Sequence, residues 1–255
     1  MNLHEYQSKS LLKKFGVQIP EGVMVQTPDA AVHAAIVIQN NTGANIWAVK
    51  AQVHAGGRGK GGGVKIAQNI NEVRTYASAI LGMQLVTPQT GPLGKKVLRL
   101  LVEQNVYYKG ASEIKEFYIG ILLNRQSGKT MIVYSPQGGM SIEEVAEKSP
   151  QLIFKEEINH AVGIQLFQCR KIAFNLGLEG PSFKEMIVFL NSLYNAYIAL
   201  DATLVEINPV IKTSDHKIIA ADAKLTIDNN ALYRHEDIAS MRDYNEEDPM
   251  EVEAG

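Results

Sequence analysis

The sequence predicts an α+β fold in two lobes, and three observations carry that expectation. Helical and extended segments are interspersed, without the regular strand–helix alternation that builds a doubly wound parallel sheet. Two stretches read as antiparallel hairpins, 116–124 with 129–134 across Ser127-Gly128, and 203–212 with 217–227 across Ser214-Asp215. At 255 residues, 45% hydrophobic and 20% charged, the chain can bury a real core in one large domain or two smaller lobes.

The elements follow in order. Leu3, Tyr6, Leu11, Leu12 and Phe15 sit near helical spacing, and Gly16 follows as a stop, so 3–15 is expected as a helix. A short extended run at 22–25 leads to Thr27, which caps a helix to about Asn40 with Pro28 at its first position; Asn41-Thr42-Gly43 closes it. The run IWAVKAQV (46–53) reads as a strand, followed by a glycine-rich segment at 56–63 and a short strand at 64–67. A helix runs from Asn71 to about Leu81, and 97–102 is a strand. After the first hairpin, Ser141-Ile-Glu-Glu opens a short helix with a capping-box pattern, and helices are expected at about 164–176 and 182–199. The acidic tail from Glu246 reads as solvated, in the manner of a linker.

The net charge of -2 gives no reason to expect nucleic acid or an anionic membrane as partner, so any anion site must be local. The single cysteine, Cys169, cannot form an intramolecular disulfide and lies in an apolar helical pattern, where a small buried residue is expected. No stretch approaches the ~18 apolar residues of a membrane span. The N-terminal segment lacks a continuous apolar run, so it reads as part of the fold rather than as a signal peptide. A cytoplasmic location of bacterial type is the matching expectation.

The stretch VHAGGRGKGGGVK carries the most chemical information. Six glycines lie in the eight positions 56–63, with Arg58 and Lys60 among them. Glycine lets backbone N–H groups approach phosphate oxygens closely. A Walker A loop needs Ser or Thr after its Gly-Lys, and Lys60 is followed by Gly61. Gly57, Gly59 and Gly62 meet the Rossmann spacing, but a strand pattern follows them instead of a helix. No acidic residue occurs from Val73 to Val102, so the ribose-binding carboxylate expected ~20 residues on is missing. A loop between antiparallel strands that clamps phosphates is the remaining nucleotide reading; a hairpin tip without a ligand is the alternative. Lys50, inside the apolar strand that enters the loop, needs a partner for its charge, and phosphate is a fitting one.

The hairpin at 203–227 is the second constellation. If it turns at Asp215, Asn208 and Asp222 are each seven residues away and fall opposite one another. Cross-strand neighbours lie ~4.5–5.5 Å apart at Cβ, close enough for an amide oxygen and a carboxylate to share one hard cation. Glu206 shares a strand face with Asn208. Pro209 removes a ladder N–H, so regular pairing is expected to break there. A solvated hairpin is the competing reading, but Asp222 within alanines and isoleucines would be a half-buried carboxylate in need of counter-charge.

Taken together, NLHEYQSK, VKAQVHAGGRGKGGGVK, EINP, DAKL and DNNALYRHEDIASMRDYNEEDP resemble, in order and over essentially the whole chain, the β-subunit family of succinyl-CoA synthetase (ADP-forming succinate–CoA ligase). Malate–CoA ligases and the N-terminal part of ATP-citrate lyase share much of the pattern. The resemblance implies an ATP-grasp fold in which two α+β lobes clamp a nucleotide. Residues 21–104 would form the smaller lobe, 1–20 with 105–240 the larger, and 241–255 the start of a linker to a flavodoxin-like domain that the family has and this chain does not reach. It implies ATP or GTP as substrate with Mg2+. Lys50, Gly57, Arg58, Gly59, Glu103, Val106 and Glu116 would contact nucleotide, and Asn208 and Asp222 would bind metal. It further implies an α-subunit partner that carries a phosphohistidine, with succinate and CoA as the other substrates in the tricarboxylic acid cycle; none of the six histidines here has nucleophile context, so no catalytic residue is expected in this chain. Two departures stand out: residues 104–115 form a longer connection than usual, and Gln137-Gly138-Gly139 has Gln where the family has Glu. A non-catalytic nucleotide-binding module and a Rossmann-type oxidoreductase are the readings from other classes.

Overall fold

The computed structural model describes residues 1–247. The chain runs α1 (Glu5–Lys14), β1 (Gly22–Val25), α2 (Pro28–Thr42), β2 (Trp47–Ala51), β3 (Val64–Ala67), α3 (Ile70–Ile80), β4 (Gln84–Leu85), β5 (Lys95–Lys96) and β6 (Leu100–Gln104). It continues through β7 (Lys115–Asn124), β8 (Lys129–Ser135), α4 (Ile142–Lys148), β9 (Phe154–Ile158), α5 (Leu166–Asn175), α6 (Gly180–Ala199), β10 (Ala202–Lys212), β11 (Ile218–Ala220), β12 (Ala223–Ile227) and α7 (Glu236–Ala239). Two compact units result. One comprises Met1–Ile19 and Val106–Glu236; the other comprises Pro20–Asn105 with the described tail from Asp237.

In the smaller unit an antiparallel sheet of order β1-β6-β2-β3 is covered by α2 and α3. Its core joins Trp47, Val49, Leu100 and Val102 from the sheet to Ile38, Val73 and Ile80 from the helices, all at most 2% exposed. Local chemistry sets α2 as expected: the Thr27 hydroxyl accepts from the N–H of Ala30 at 3.1 Å, Pro28 opens the helix, and Gly43 closes it at φ +74°. The larger unit is built on an antiparallel sheet of order β11-β10-β7-β8-β9, with β12 also pairing β10. Helix α6 packs on β10 and on α5, and α1 packs on β12 and α6. Cys169, in α5, is fully buried, and burial pushes its thiol up to about 11, so it is an inert core residue.

Several elements differ from the expectations. Strand β9 was not expected, because FKEEI carries three charges in five residues; it is an edge strand, and edges tolerate charge. β6 begins later than expected and runs through Glu103. The second arm of the hairpin is split into β11 and β12 by a break at Ala221-Asp222. The tail expectation is corrected in its described part, and residues 248–255 lie outside the described residues. Residues from Asp237 group with the smaller unit, not the larger. Glu246 is not solvated: its carboxylate lies 2.9 Å from Lys95 Nζ and accepts from the His54 N–H at 3.1 Å. Glu247 takes a bidentate grip from Arg242, which holds its carboxyl below the usual range.

Candidate functional site

In the smaller unit, β2 and β3 form an antiparallel pair with Lys50 opposite Val64, and the glycine segment is the loop between them. The strand that follows the glycines excludes a dinucleotide-binding turn, which would lead into a helix. The loop folds into successive turns: the N–H groups of Gly61, Gly62 and Gly63 donate to the carbonyls of Gly57, Gly59 and Arg58. Gly57 at φ +74° and Gly62 at φ +81° occupy the left-handed region, and a Cβ on Gly61 would lie 2.6 Å from the Val86 carbonyl oxygen. Arg58 is 7% exposed and donates from Nη1 to the Ala51 carbonyl at 2.9 Å, so its guanidinium braces the mouth of the loop rather than projecting from it. A shallow cavity lined by Lys60, Gly61, Thr87 and Pro88 lies beside the loop.

Lys50 projects from the sheet face that Ala48 shares, and Glu103 stands opposite Ala48 on β6. Its Nζ lies 2.7 Å from Glu103 Oε2, with the side chains 13% and 2% exposed. Lys50 is therefore not a solvated edge lysine. The charge partner that the structure supplies is a carboxylate, where the sequence pointed only to phosphate; Glu103 sits on the same sheet as Lys50, spent at least partly on it.

In the larger unit, β10 faces β11 through Val210–Ala220, Ile211–Ile219 and Lys212–Ile218, and faces β12 through Ile207–Ala223 and Glu206–Lys224. The same register runs through both, so Asn208 falls opposite Asp222 in the break between them. Against β7, the register of β10 shifts between Ile207 and Val210, where Pro209 cannot donate. The Asn208 side chain is oriented at both ends: Oδ1 accepts from the Gly139 N–H at 2.9 Å, and Nδ2 donates to the Met140 carbonyl at 2.8 Å.

Acidic charge gathers around this break. Glu206 is half-buried, and burial raises its carboxyl above the usual glutamate range; Lys224 opposes the shift, while Glu143 and Asp222 add to it. The folded chain therefore holds a proton on Glu206 to higher pH than the unfolded chain does. Stability must fall as pH rises from the ordinary glutamate pKa through the raised one, and level off above it. Glu206→Gln is expected to remove that decline, so that the variant exceeds the parent in stability at neutral pH and matches it in acid; urea midpoints across the acidic-to-neutral range measure this.

Glu116, on β7, is half-buried and accepts from the Tyr107 hydroxyl. Val106 is 4% exposed in a small apolar cluster with Ile211, Ile219 and Ala221 of the hairpin. The long 104–115 connection is fastened to the hairpin turn: Lys212 Nζ donates to Ser112 Oγ and the Glu113 carbonyl, and the Tyr108 hydroxyl to Asp215. The glycine pair after β8 is a feature whose role sequence reasoning missed. A Cβ on Gly138 would lie 2.5–2.7 Å from three backbone atoms of Phe117, and Gly139, at φ +75°, lies against the Glu116 carboxylate. The signal was present as two adjacent glycines after a strand. Gly138→Ala is expected to lower stability by about 3 kcal/mol, at the upper end of overpacking costs, measurable by urea denaturation.

Among the described residues, no group of three or more His, Cys, Asp or Glu is placed to hold a metal. A cation at Asn208 and Asp222 would thus have two protein side chains and complete its shell with water and phosphate oxygens. That is the habit of Mg2+, and the acidic surroundings suit a divalent cation. The expected residues group as Lys50, Gly57, Arg58, Gly59 and Glu103 in one unit, and Val106, Glu116, Asn208 and Asp222 in the other.

Comparison with known proteins adds three findings. Residues 2–212 match the family model of the ATP-grasp domain. The chain is 58% identical over 254 residues to the succinate–CoA ligase (ADP-forming) subunit beta of Flavobacterium psychrophilum, an alignment covering 100% of this chain and 64% of that protein. The chain thus spans 64% of the length of this curated relative. Among solved structures, it resembles a dinucleotide-forming acetyl-coenzyme A synthetase of Ca. Korarchaeum cryptofilum in complex with coenzyme A and Ca-AMPCP (TM-score 0.66, 17% identity, 89% of this chain and 93% of that one). It also resembles the ATP citrate lyase of Methanothrix soehngenii (TM-score 0.66, 18% identity, 95% and 54%). At these identities, the two structures establish likeness of fold.

Proposed function

The chain belongs to the ATP-grasp domain family, and on that premise we propose that it binds a Mg2+–nucleoside triphosphate as the nucleotide-handling part of an ADP-forming succinate–CoA ligase. The whole reaction is ATP + succinate + CoA giving ADP + phosphate + succinyl-CoA, with phosphate passed through a phosphohistidine on a partner α subunit. Support for the acid and the thiol comes from the relative at 58% identity, whose name states that activity. ATP is favoured over GTP on the same ground, since that relative is named ADP-forming.

The observation that carries the nucleotide reading is the shared register that sets Asn208 against Asp222 where the hairpin ladder breaks. Mg2+ bound there would neutralise phosphate charge. Asn208, held by Gly139 and Met140, would present its amide oxygen in a fixed direction, and Asp222 would supply the negative charge. Lys50 would orient phosphate oxygens through charge-assisted hydrogen bonds, with Glu103 holding the ammonium on the sheet face. The turns at Gly57 to Gly59 would bring backbone amides to phosphate oxygens, Glu116 would contact the nucleoside, and Val106, its side chain buried, would do so through its backbone. These roles are positioning and electrostatic, which is what phosphoryl transfer asks of a protein.

Titration calorimetry of the 255-residue chain with ATP and Mg2+ tests this, alongside an assay of succinyl-CoA formation. Binding without turnover is the expected outcome, because the relatives are longer and are named as subunits. Turnover is expected to appear when an α subunit and a full-length β chain are supplied. Absence of nucleotide binding would refute the proposal.

A further inference from the structure

We propose that Lys9 is a positioning residue for the cation site at Asn208 and Asp222, an inference that rests on the metal-binding reading above. Helix α1 presents Glu5 and Lys9 one turn apart, a spacing that on most helices forms a solvated pair. Here both are buried. The Lys9 ammonium lies 2.8 Å from Glu5 Oε1, with the side chains 3% and 2% exposed, and it donates to the Ala221 carbonyl at 2.7 Å.

That carbonyl belongs to the peptide that joins Ala221 to Asp222. Peptide units are planar, so fixing the carbonyl also fixes the direction of the Asp222 N–H and the start of its backbone. The ladder offers little help at this point, since β11 ends at Ala220 and β12 begins at Ala223. On the other side of the same residue, the Ala221 N–H donates to the Pro209 carbonyl at 3.1 Å, next to Asn208. Ala221 is thereby held at its N–H by the strand bearing Asn208 and at its carbonyl by Lys9. The helix is itself fixed: the His4 N–H donates to Gln7 Oε1 at 2.9 Å, and Leu11 and Leu12 are buried. A buried ion pair is a poor source of stability compared with apolar residues of the same volume. A reason for one here is the donor it delivers to a break that bears Asp222, with Glu5 offsetting the charge.

The test uses Mn2+ as the probe ion and a non-hydrolysable ATP analogue. Affinity is measured in EDTA and in Mn2+, and bound Mn2+ is followed by electron paramagnetic resonance. Lys9→Met and the double variant Glu5→Leu/Lys9→Met are compared with the parent chain, the double variant removing both members of the buried ion pair. The expected result is unchanged affinity in EDTA and a loss of roughly 10- to 100-fold in the Mn2+-dependent gain, as is usual when a group supporting a metal ligand is removed. A folded double variant that keeps the full Mn2+-dependent gain, or that loses affinity equally with and without Mn2+, overturns the proposal. Asp222→Ala is the control. If it too keeps the gain, the metal-site reading itself fails and takes this inference with it; if it loses the gain while the Lys9 variants keep it, the positioning role alone is wrong.

Discussion

Asp222→Ala is expected to remove the Mg2+-dependent part of nucleotide affinity, a loss of roughly 10- to 100-fold, or about 1.4–2.8 kcal/mol, while affinity in EDTA is unchanged. The reasoning is electrostatic. By the register of the hairpin, Asn208 stands opposite Asp222 in the ladder break, and of this pair Asp222 carries the charge. Taking that charge away leaves an amide oxygen, which cannot hold Mg2+ against its hydration shell. The fold should survive. Asp222 lies outside both strands of its arm, and removing it relieves the repulsion that helps raise the carboxyl of Glu206. Asn208→Ala is the less clean variant, because it also deletes the hydrogen bonds to Gly139 and Met140.

Lys50→Ala is expected to have the second large effect, and on two quantities at once. Nucleotide affinity should fall by about tenfold or more as a charged donor to phosphate is lost. Stability of the chain should fall by about 3–5 kcal/mol, the usual cost of removing one partner from a buried ion pair, since the Glu103 side chain is only 2% exposed. Combining Lys50→Met with Glu103→Leu separates the two. The double variant should recover most of the stability without recovering nucleotide affinity. Trp47, the one tryptophan, is 1% exposed and lies on the same strand, so its emission reports unfolding directly.

The sequence was legible where one local rule decided the outcome. Thr27, Pro28 and Gly43 set the ends of α2 through capping and backbone preference alone, and symmetry about Asp215 set the hairpin register, including the opposition of Asn208 and Asp222. It was not legible where a pattern has the same appearance in two environments. The i, i+4 spacing of Glu5 and Lys9 is the same whether a helix face is wet or buried, so their burial as a pair has no signal in the sequence. Lys50 clearly needed a partner, but Glu103 lies 53 positions further on, and only strand pairing brings it close. The family resemblance implies that Arg58 contacts nucleotide; its donation to the Ala51 carbonyl depends on the loop's own turns and has no signal in the sequence. Glu246 looked solvated because acidic tails usually are, and long-range contacts with Lys95 and His54 decide otherwise.

One measurement bears on the central claim more directly than the rest: calorimetric titration of the chain with ATP in excess Mg2+ and again in EDTA. The account predicts binding in both, tighter in Mg2+, with the difference lost in Asp222→Ala and the metal-free part lost in the Lys50→Met/Glu103→Leu variant. Equal affinity with and without Mg2+ in the parent chain, or a Mg2+ gain that survives Asp222→Ala, would contradict it.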